Sequence, residues 1–260
     1  MRIALGLEYN GAAFCGWQSQ PGGCAVQDVV EAALSQIAGE KLILTAAGRT
    51  DAGVHALSQV AHFDTAAGRP DSAWVRGVNA LLPPTVATLW AQPVADDFHA
   101  RFSAIERCYR YVLLNTAVRP AVHEGKAGWF HQPLDAEKMR EAATILLGKH
   151  DFSAFRAAEC RARSPVKELR RIDITRQREW LVFEFCADAF LHHMVRNIVG
   201  CLVYVGCGRC PAQWLDQVLK SRNRSTAAPT FSPAGLYLSA VRYEAKWRLP
   251  DFNRTMLLFP

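Results

Sequence analysis

The apolar positions in the first hundred residues follow two periods, one typical of strands and one of helices. Large apolar residues occupy every second position at 3–9, which predicts a strand, and residues 26–37 repeat apolar positions at helical spacing until Gly39. The same patterns predict strands at 42–47, 58–65 and 86–90, and a helix from Asp71 or Ser72 through Leu82. The resulting order, βαββαβ, is that of a split βαβ or ferredoxin-like unit.

The second half of the chain repeats this order with longer insertions. Its patterns predict strands at 107–114, 170–175, 180–186 and 236–243, and helices at 135–147, 190–205 and 211–220. We therefore expect an α+β fold of two tandem ferredoxin-like units, residues 1–103 and 104–246, with mainly antiparallel sheets and a catalytic cleft between them. Residues 247–260 form a tail to which the pattern assigns no role.

Composition and length are those of a globular protein with a substantial core. Half of the 260 residues are hydrophobic and 21% are charged. The chain begins without a signal-peptide pattern, and no apolar run reaches membrane-spanning length, so we expect a cytoplasmic protein that does not enter a membrane. The eight cysteines are scattered along the chain, which favours reduced thiols.

The positive charge is concentrated in the second half. The net charge is +6, but residues 1–103 hold six Lys and Arg against nine Asp and Glu, whereas residues 104–260 hold 24 against 15. A run of basic residues near 156–178 is suited to RNA phosphates, with a solvated hairpin as the alternative. The candidates are Arg156, Arg161, Arg163, Arg170 and Arg171.

A glycine-rich turn between two predicted strands carries the candidate chemistry. Gly48 and Gly53 allow a ligand to approach the backbone, and Arg49 and Asp51 place a cation and an anion two positions apart between them. Asp51 can be a nucleophile or base, a metal ligand, or a turn residue that binds its own backbone. An aspartic-protease loop is disfavoured, because such enzymes need two loops and a hydroxyl where Ala52 stands.

Two further patterns place functional residue types on regular elements. Tyr109 and Tyr111 alternate on one strand, so both rings point to the same face, either into a core or towards a base on which they stack. Arg196 lies on an otherwise apolar helix and needs an anionic partner if it is buried; Asp51 would serve, and a surface arginine is the alternative.

Six segments of the chain carry distinctive combinations of residues. They are 48–56, 98–102, 109–111, 150–155, 190–200 and 235–238. Together they closely resemble the tRNA pseudouridine synthase A (TruA) family. The most specific is Gly-Arg-Thr-Asp-Ala-Gly-Val-His-Ala at 48–56, and it occurs in order with the Met-Val-Arg-Asn helix. Asn10 stands where the family usually shows aspartate.

The resemblance implies isomerisation of uridine to pseudouridine at positions 38–40 of the tRNA anticodon stem-loop, by a homodimer without cofactor or metal. It makes Asp51 the essential carboxylate, Arg196 its salt-bridge partner and Tyr109 the ring that stacks on the target base. It also implies that Arg49 helps to turn the nucleotide out of the stem, with Thr50 and His55 in the substrate-binding set.

Two other classes are weighed against this interpretation. A non-catalytic RNA-binding protein with two ferredoxin-like units lacks the aromatic signature of an RNA-recognition motif and gives the Arg49 and Asp51 turn no task. A metal- or thiol-dependent enzyme would use Cys207 and Cys210, whose spacing lacks the second ligand pair that zinc needs.

Overall fold

The computed structural model describes residues 1–160 and 162–250, which form two compact units. The first contains Met1–Ile105 and the segment that starts at Tyr237, and the second contains Glu106–Leu236. Arg161 and residues 251–260 of the predicted tail lie outside the described residues. No helix in the described ranges is long and apolar enough to cross a membrane.

Ten strands and five helices make up the two units in the described ranges. The strands are β1 (Arg2–Tyr9), β2 (Thr45–Ala46), β3 (His55–Asp64), β4 (Val86–Val94), β5 (Ala104–Asn115), β6 (Gly128–Phe130), β7 (Gly148–Asp151), β8 (Val166–Gln177), β9 (Trp180–Ala187) and β10 (Leu236–Tyr243). The helices are α1 (Val26–Ala38), α2 (Val78–Leu81), α3 (Ala136–Thr144), α4 (Met194–Gly206) and α5 (Trp214–Ser221).

The sheet of the first unit is built around β1 and β3. β1 pairs antiparallel with β4 on one side and β3 on the other, and β2 pairs antiparallel with β3. β10 adds a parallel pairing to β3, in which Tyr237 lies opposite His55. β10 therefore lies beside the first residues of β3, which directly follow the glycine-rich turn, although the two strands are far apart in sequence.

The sheet of the second unit has the order β5-β9-β8-β7, with antiparallel neighbours and β6 parallel to β5. Large side chains at every second position of β9 are fully buried, as the alternation predicts. These are Leu181, Phe183 and Phe185. The mainly antiparallel α+β fold is confirmed, and the tandem duplication of ferredoxin-like units stays a prediction.

Several predicted elements change their length in the structure. α4 begins at Met194 rather than at residue 190, because His193 before it has a left-handed backbone with a φ of 63°. The predicted helix at 71–82 is a π-helical segment over Ala73–Gly77 followed by the short α2. β2 has only two residues, and β6 and β7 were not predicted, because each is too short to show a period.

Four cysteines are paired, in contrast to the expected reduced thiols. Cys15 and Cys24 form a disulfide in the loop before α1, with their Cα atoms 5.5 Å apart. Cys108 and Cys186 form another between facing positions of β5 and β9. The spacing of these cysteines along the chain could not indicate the pairs, because the sheet register brings the second pair together over 78 residues.

His62 of β3 forms a hydrogen bond to the turn at residues 98–103, which precedes β5. Its Nδ1 accepts a hydrogen bond from the backbone N–H of Ala100 at 3.2 Å, and the ring is only 5% exposed. Burial lowers the pKa of His62 to about 4, and the positive charge of Arg2 acts in the same direction. The imidazole is therefore neutral at pH 7 and able to accept this bond.

This depressed pKa makes the stability of the protein depend on pH. The unfolded chain binds the His62 proton first as the pH falls, so the stability present above about pH 6.5 is lost as the pH drops towards 4. His62→Asn keeps an acceptor for Ala100 but cannot be protonated. We expect its free energy of unfolding to fall less than that of the wild type between about pH 7.5 and pH 5.

Urea denaturation at both pH values measures the difference. His131→Asn is the matched control, because His131 is exposed and lies in the other unit, so its pH dependence should follow the wild type. An equal loss of stability for His62→Asn and the wild type would contradict the prediction.

Candidate active site

The glycine-rich turn joins β2 to β3 and presents two charged side chains with different exposure. The backbone leaves β2 with a hydrogen bond from Ala47 N to Val60 O of 2.7 Å and closes with one from Val54 N to Asp51 O of 3.1 Å. Arg49 is exposed and Asp51 is half-buried. Gly53 has a φ of 76°, which explains the glycine at this position.

Two buried side chains from neighbouring strands, Tyr9 and Gln59, form hydrogen bonds to residues of this turn. Thr50 is buried, and its Oγ1 lies 2.8 Å from the hydroxyl of Tyr9. The Nε2 of Gln59 donates to the carbonyl of Gly48 at 2.7 Å and also reaches the Tyr9 hydroxyl at 3.4 Å. Burial raises the pKa of Tyr9 to about 12, so this phenol keeps its proton. The turn is thereby fixed on both sides of Arg49.

The loop before α1 packs directly against the same turn. Trp17 N donates to Thr50 O at 3.0 Å, and Gly53 N donates to Phe14 O at 3.3 Å. Gly16 has a φ of 102°, and a Cβ built there would lie 2.7 Å from Thr50 O. Only glycine permits this contact of two backbones beside Asp51. Asn10 starts the loop and its Oδ1 accepts from Ala12 N at 3.1 Å, a local bond that an aspartate would also make.

His55 lies at the start of β3 and supports the turn rather than facing solvent. It is 2% exposed, its Nδ1 accepts a hydrogen bond from Gly11 N at 3.0 Å, and its ring stacks on Tyr237 with centroids 4.5 Å apart. The structure therefore buries the side chains of both His55 and Thr50, which form hydrogen bonds within the protein and stabilise the turn.

The two tyrosines of β5 occupy different environments in the second unit. Tyr111 is fully buried between Phe183 and Phe231, and its hydroxyl donates to Ser232 O at 2.8 Å. Tyr109 is half-buried and packs edge-on against Phe190, with centroids 5.0 Å apart. Of the two rings, Tyr109 has the partly open surface that stacking on a base requires.

The Met-Val-Arg-Asn segment forms the first turn of α4. Arg196 is half-buried, and its Nε donates to Phe231 O at 2.9 Å. Asn197 beside it is fully buried; its Nδ2 donates to Phe155 O, and its Oδ1 accepts from the hydroxyl of Thr230 at 2.7 Å. The amide of Asn197 thus fixes the helix turn that carries Arg196.

The arginines predicted to bind RNA differ in their surroundings. Arg170 is paired with Glu168 at 3.0 Å and Glu106 at 3.5 Å, and Arg171 is paired with Asp173 and with Glu184 at 3.0 Å. Arg163 is exposed and Arg156 is half-buried. A phosphate at Arg170 or Arg171 would compete with these carboxylates, which lowers the gain from binding there.

A groove of about 570 Å³ lies on the second unit, along β8 and β9 beside α3. Its lining includes Arg110, Arg140, Arg171 and Trp180, and Arg171 is the one predicted site residue that it contains. Apart from Arg171, the groove contains none of the predicted site residues. Its position therefore does not mark the predicted site.

The cysteines and acidic residues of the second unit offer little to a metal ion. Glu106, Cys108 and Cys186 place their ligand atoms within 4.8 Å of one another, but both sulfurs are joined in the disulfide and offer no thiolate. Cys207 and Cys210 are unpaired, and within the described ranges neither belongs to a group of three potential ligands.

Most of the chain matches a known family of RNA-modifying enzymes. The family model described as tRNA pseudouridine synthase matches residues 7–103 and 142–244, which include the glycine-rich turn and α4. The class is that of the isomerases that convert uridine in tRNA to pseudouridine.

Individual relatives of high sequence identity all belong to one family within this class. The chain is 62% identical over 251 residues to tRNA pseudouridine synthase A of Thiobacillus denitrificans, with 96% of each chain covered. It is 58% identical to that of Nitrosomonas europaea, covering 98% of this chain and 94% of the relative, and 59% identical to that of Burkholderia mallei, covering 96% and 93%. The chain belongs to the tRNA pseudouridine synthase A (TruA) family.

Sequence patterns alone missed the residues that support the turn. Tyr9 was visible only as the last alternating position of a strand, and Gln59 only as one polar residue in an apolar strand. A polar side chain that is fully buried needs a hydrogen-bond partner, so Gln59 in the middle of β3 was the available signal.

Proposed function

We propose that this tRNA pseudouridine synthase acts on uridines 38–40 of the anticodon stem-loop, with Asp51 as the essential carboxylate. The observation that carries the proposal is the turn at 48–53, which holds a half-buried Asp51 next to an exposed Arg49 on a backbone fixed by Tyr9, Trp17 and Gln59. A turn without chemistry does not need this degree of support.

The reaction sets clear requirements for such a site. The bond from the ribose C1′ to uracil N1 breaks, the base rotates, and a new bond forms from C1′ to C5, while the C5 proton leaves and N1 gains one. Asp51 acts on the uridine, either as a nucleophile towards sugar or base or by deprotonating the sugar. Tyr109 holds the detached base by stacking and assists loss of the C5 proton, and water must be kept out meanwhile.

Reaching the target costs unstacking and unpairing energy, because the uridine lies in or beside a helical stem. Arg49 is exposed on the turn and fills the gap that the extruded nucleotide leaves. The family resemblance makes Arg196 the salt-bridge partner of Asp51, and a guanidinium pairs well with a carboxylate. Thr50 and His55 contribute to substrate binding by positioning the turn, in keeping with their burial.

The basic residues of the second unit attract the phosphates of the RNA backbone. Arg163 is exposed and Arg156 is half-buried, which suits phosphate contact. Arg170 and Arg171 contribute less, because a phosphate must first displace their carboxylate partners. The family resemblance adds a homodimer in the cytoplasm to this proposal.

Mapping pseudouridine in defined transcripts tests the proposed site. Unmodified tRNA with a single uridine at 38, 39 or 40 is incubated with the purified protein, and pseudouridine is located by carbodiimide adduct formation and primer extension. We expect product at these positions and none in a transcript that carries cytidine at all three. Product in another arm of the tRNA would contradict the proposed specificity.

A further inference from the structure

An exposed aromatic ring stands on the turn that precedes β5. Phe102 is 76% exposed, and it is the one aromatic side chain among the large exposed hydrophobic residues of the described chain. Single exposed apolar residues are common on protein surfaces, so the significance of Phe102 depends on whether its turn is loose or fixed and on what surrounds the ring.

The turn is not loose, because hydrogen bonds fix most of its backbone. Arg101 N and Phe102 N both donate to the Nδ1 of His99 at 3.2 Å, and Ser103 N donates to His99 O at 2.8 Å. Ala100 is held at both ends, through its N–H to His62 and through its carbonyl to the hydroxyl of Tyr243 at 2.6 Å. The exposed ring is thus presented from a fixed backbone.

The side chains around the ring have the character of a nucleic-acid contact. The ring of His99 lies beside Phe102 with centroids 4.3 Å apart, and the guanidinium carbon of Arg101 lies 5.6 Å from the Phe102 centroid. An aromatic ring next to a guanidinium can stack on a base of any identity and attract the neighbouring phosphate. A purely apolar partner would not favour the cation.

The same strand supports this turn and the glycine-rich turn. His62 of β3 binds Ala100 and lies opposite Thr45 of β2, and β2 leads directly into Gly48 and Arg49. Paired strands lie about 4.8 Å apart, so β2 and the backbone of Ala100 both contact β3 at His62. Ala47 and Ala100 also belong to the same buried apolar cluster.

We propose that Phe102 stacks on an unpaired base of the tRNA while Arg101 contacts an adjacent phosphate. The inference rests on the proposed function, because it takes the RNA to pass over the Asp51 turn. A second copy of this chain is the competing occupant. RNA is favoured by the cation beside the ring and by the tRNA substrate of the family.

Three variants test the contact by equilibrium binding of tRNA. Phe102→Ala removes the stacking surface, and we expect its dissociation constant to rise about tenfold or more. Phe102→Trp keeps an aromatic face and should bind nearly as tightly as the wild type. Val122→Ala is the matched control, because Val122 is 84% exposed in the second unit and its truncation should leave binding unchanged.

A local probe identifies the partner of the ring. With 2-aminopurine placed at single positions of the anticodon loop, the wild type and Phe102→Trp should quench at least one probe that Phe102→Ala leaves bright. Binding by Phe102→Ala within about twofold of the wild type would overturn the proposal, since a stacked base contributes more than this. A change in the mass of the free Phe102→Ala protein in solution would overturn it as well, in favour of a second copy.

The outcome can be separated from that of the proposed function, because binding is measured without turnover. Pseudouridine at a site other than 38–40 would refute the proposed specificity while leaving the quenching result intact. Conversely, correct mapping with unchanged binding by Phe102→Ala would refute only the stacking contact.

Discussion

Asp51→Asn should bind tRNA as the wild type does and form no measurable pseudouridine. The amide keeps the size and polarity of the side chain in the turn. The hydrogen bond from Val54 N goes to the backbone carbonyl of residue 51 and is not removed by the substitution. The amide has no negative charge and is a poor nucleophile and base. Loss of an essential carboxylate should lower the rate of the chemical step by at least about a thousandfold.

Single-turnover release of tritium from C5-labelled tRNA measures this rate, and filter binding measures the affinity. Asp71→Asn is the matched control, because Asp71 is an exposed aspartate of the same unit away from the turn. Product formation by Asp51→Asn at a rate near that of the wild type would remove the central assignment. Loss of binding together with activity would instead assign Asp51 to the turn structure.

Gly16→Ala should have the second largest effect, although this residue carries no chemistry. A φ of 102° is unfavourable for alanine by about 1–3 kcal/mol, and the new Cβ would lie 2.7 Å from the carbonyl oxygen of Thr50. The clash is with backbone, so the turn or the loop before α1 must move. A displacement of about 1 Å at a reacting group can lower the rate about a hundredfold.

Gly22→Ala provides the comparison within the same loop. A Cβ at Gly22 would meet no atom within 4 Å, and the backbone there does not require a positive φ, so activity and unfolding midpoint should match the wild type. The two variants are compared by the same single-turnover assay and by thermal unfolding. Wild-type activity in Gly16→Ala would show that the turn tolerates displacement and that its packing does not position Asp51.

The sequence predicted the elements whose period is long enough to be recognised. The helix at 26–37 and the strand at 236–243 appear as α1 and β10 with nearly the same bounds, since each has a clear pattern and α1 ends at Gly39 with a φ of 76°. The pattern could not show that β10 pairs with β3, because that contact joins residues far apart in the chain and depends on the register of both strands.

The residues of the candidate site could be predicted where the chemistry requires an unusual residue. They could not be predicted where the residue is needed only for packing or support. Asp51 and Arg49 stood out because they are charged residues between two glycines. Gly16 looked like any loop glycine until its closeness to Thr50 was known. Tyr9 and Gln59 look like ordinary strand residues, and only their hydrogen bonds to Thr50 and Gly48 connect them to the turn.

The parallel pairing of β10 with β3 sets an order for folding during translation. β3 meets its neighbours β1 and β2 early, but the partner of His55 and Ala56 is made only when residues 237 and 238 leave the ribosome. Until then the ring of His55 lacks the stacking surface of Tyr237, and this edge of β3 has no backbone partner from β10. A nascent chain truncated before Tyr237 therefore carries every chemical group of the turn but lacks part of its support, which is complete only after residue 238 has been made.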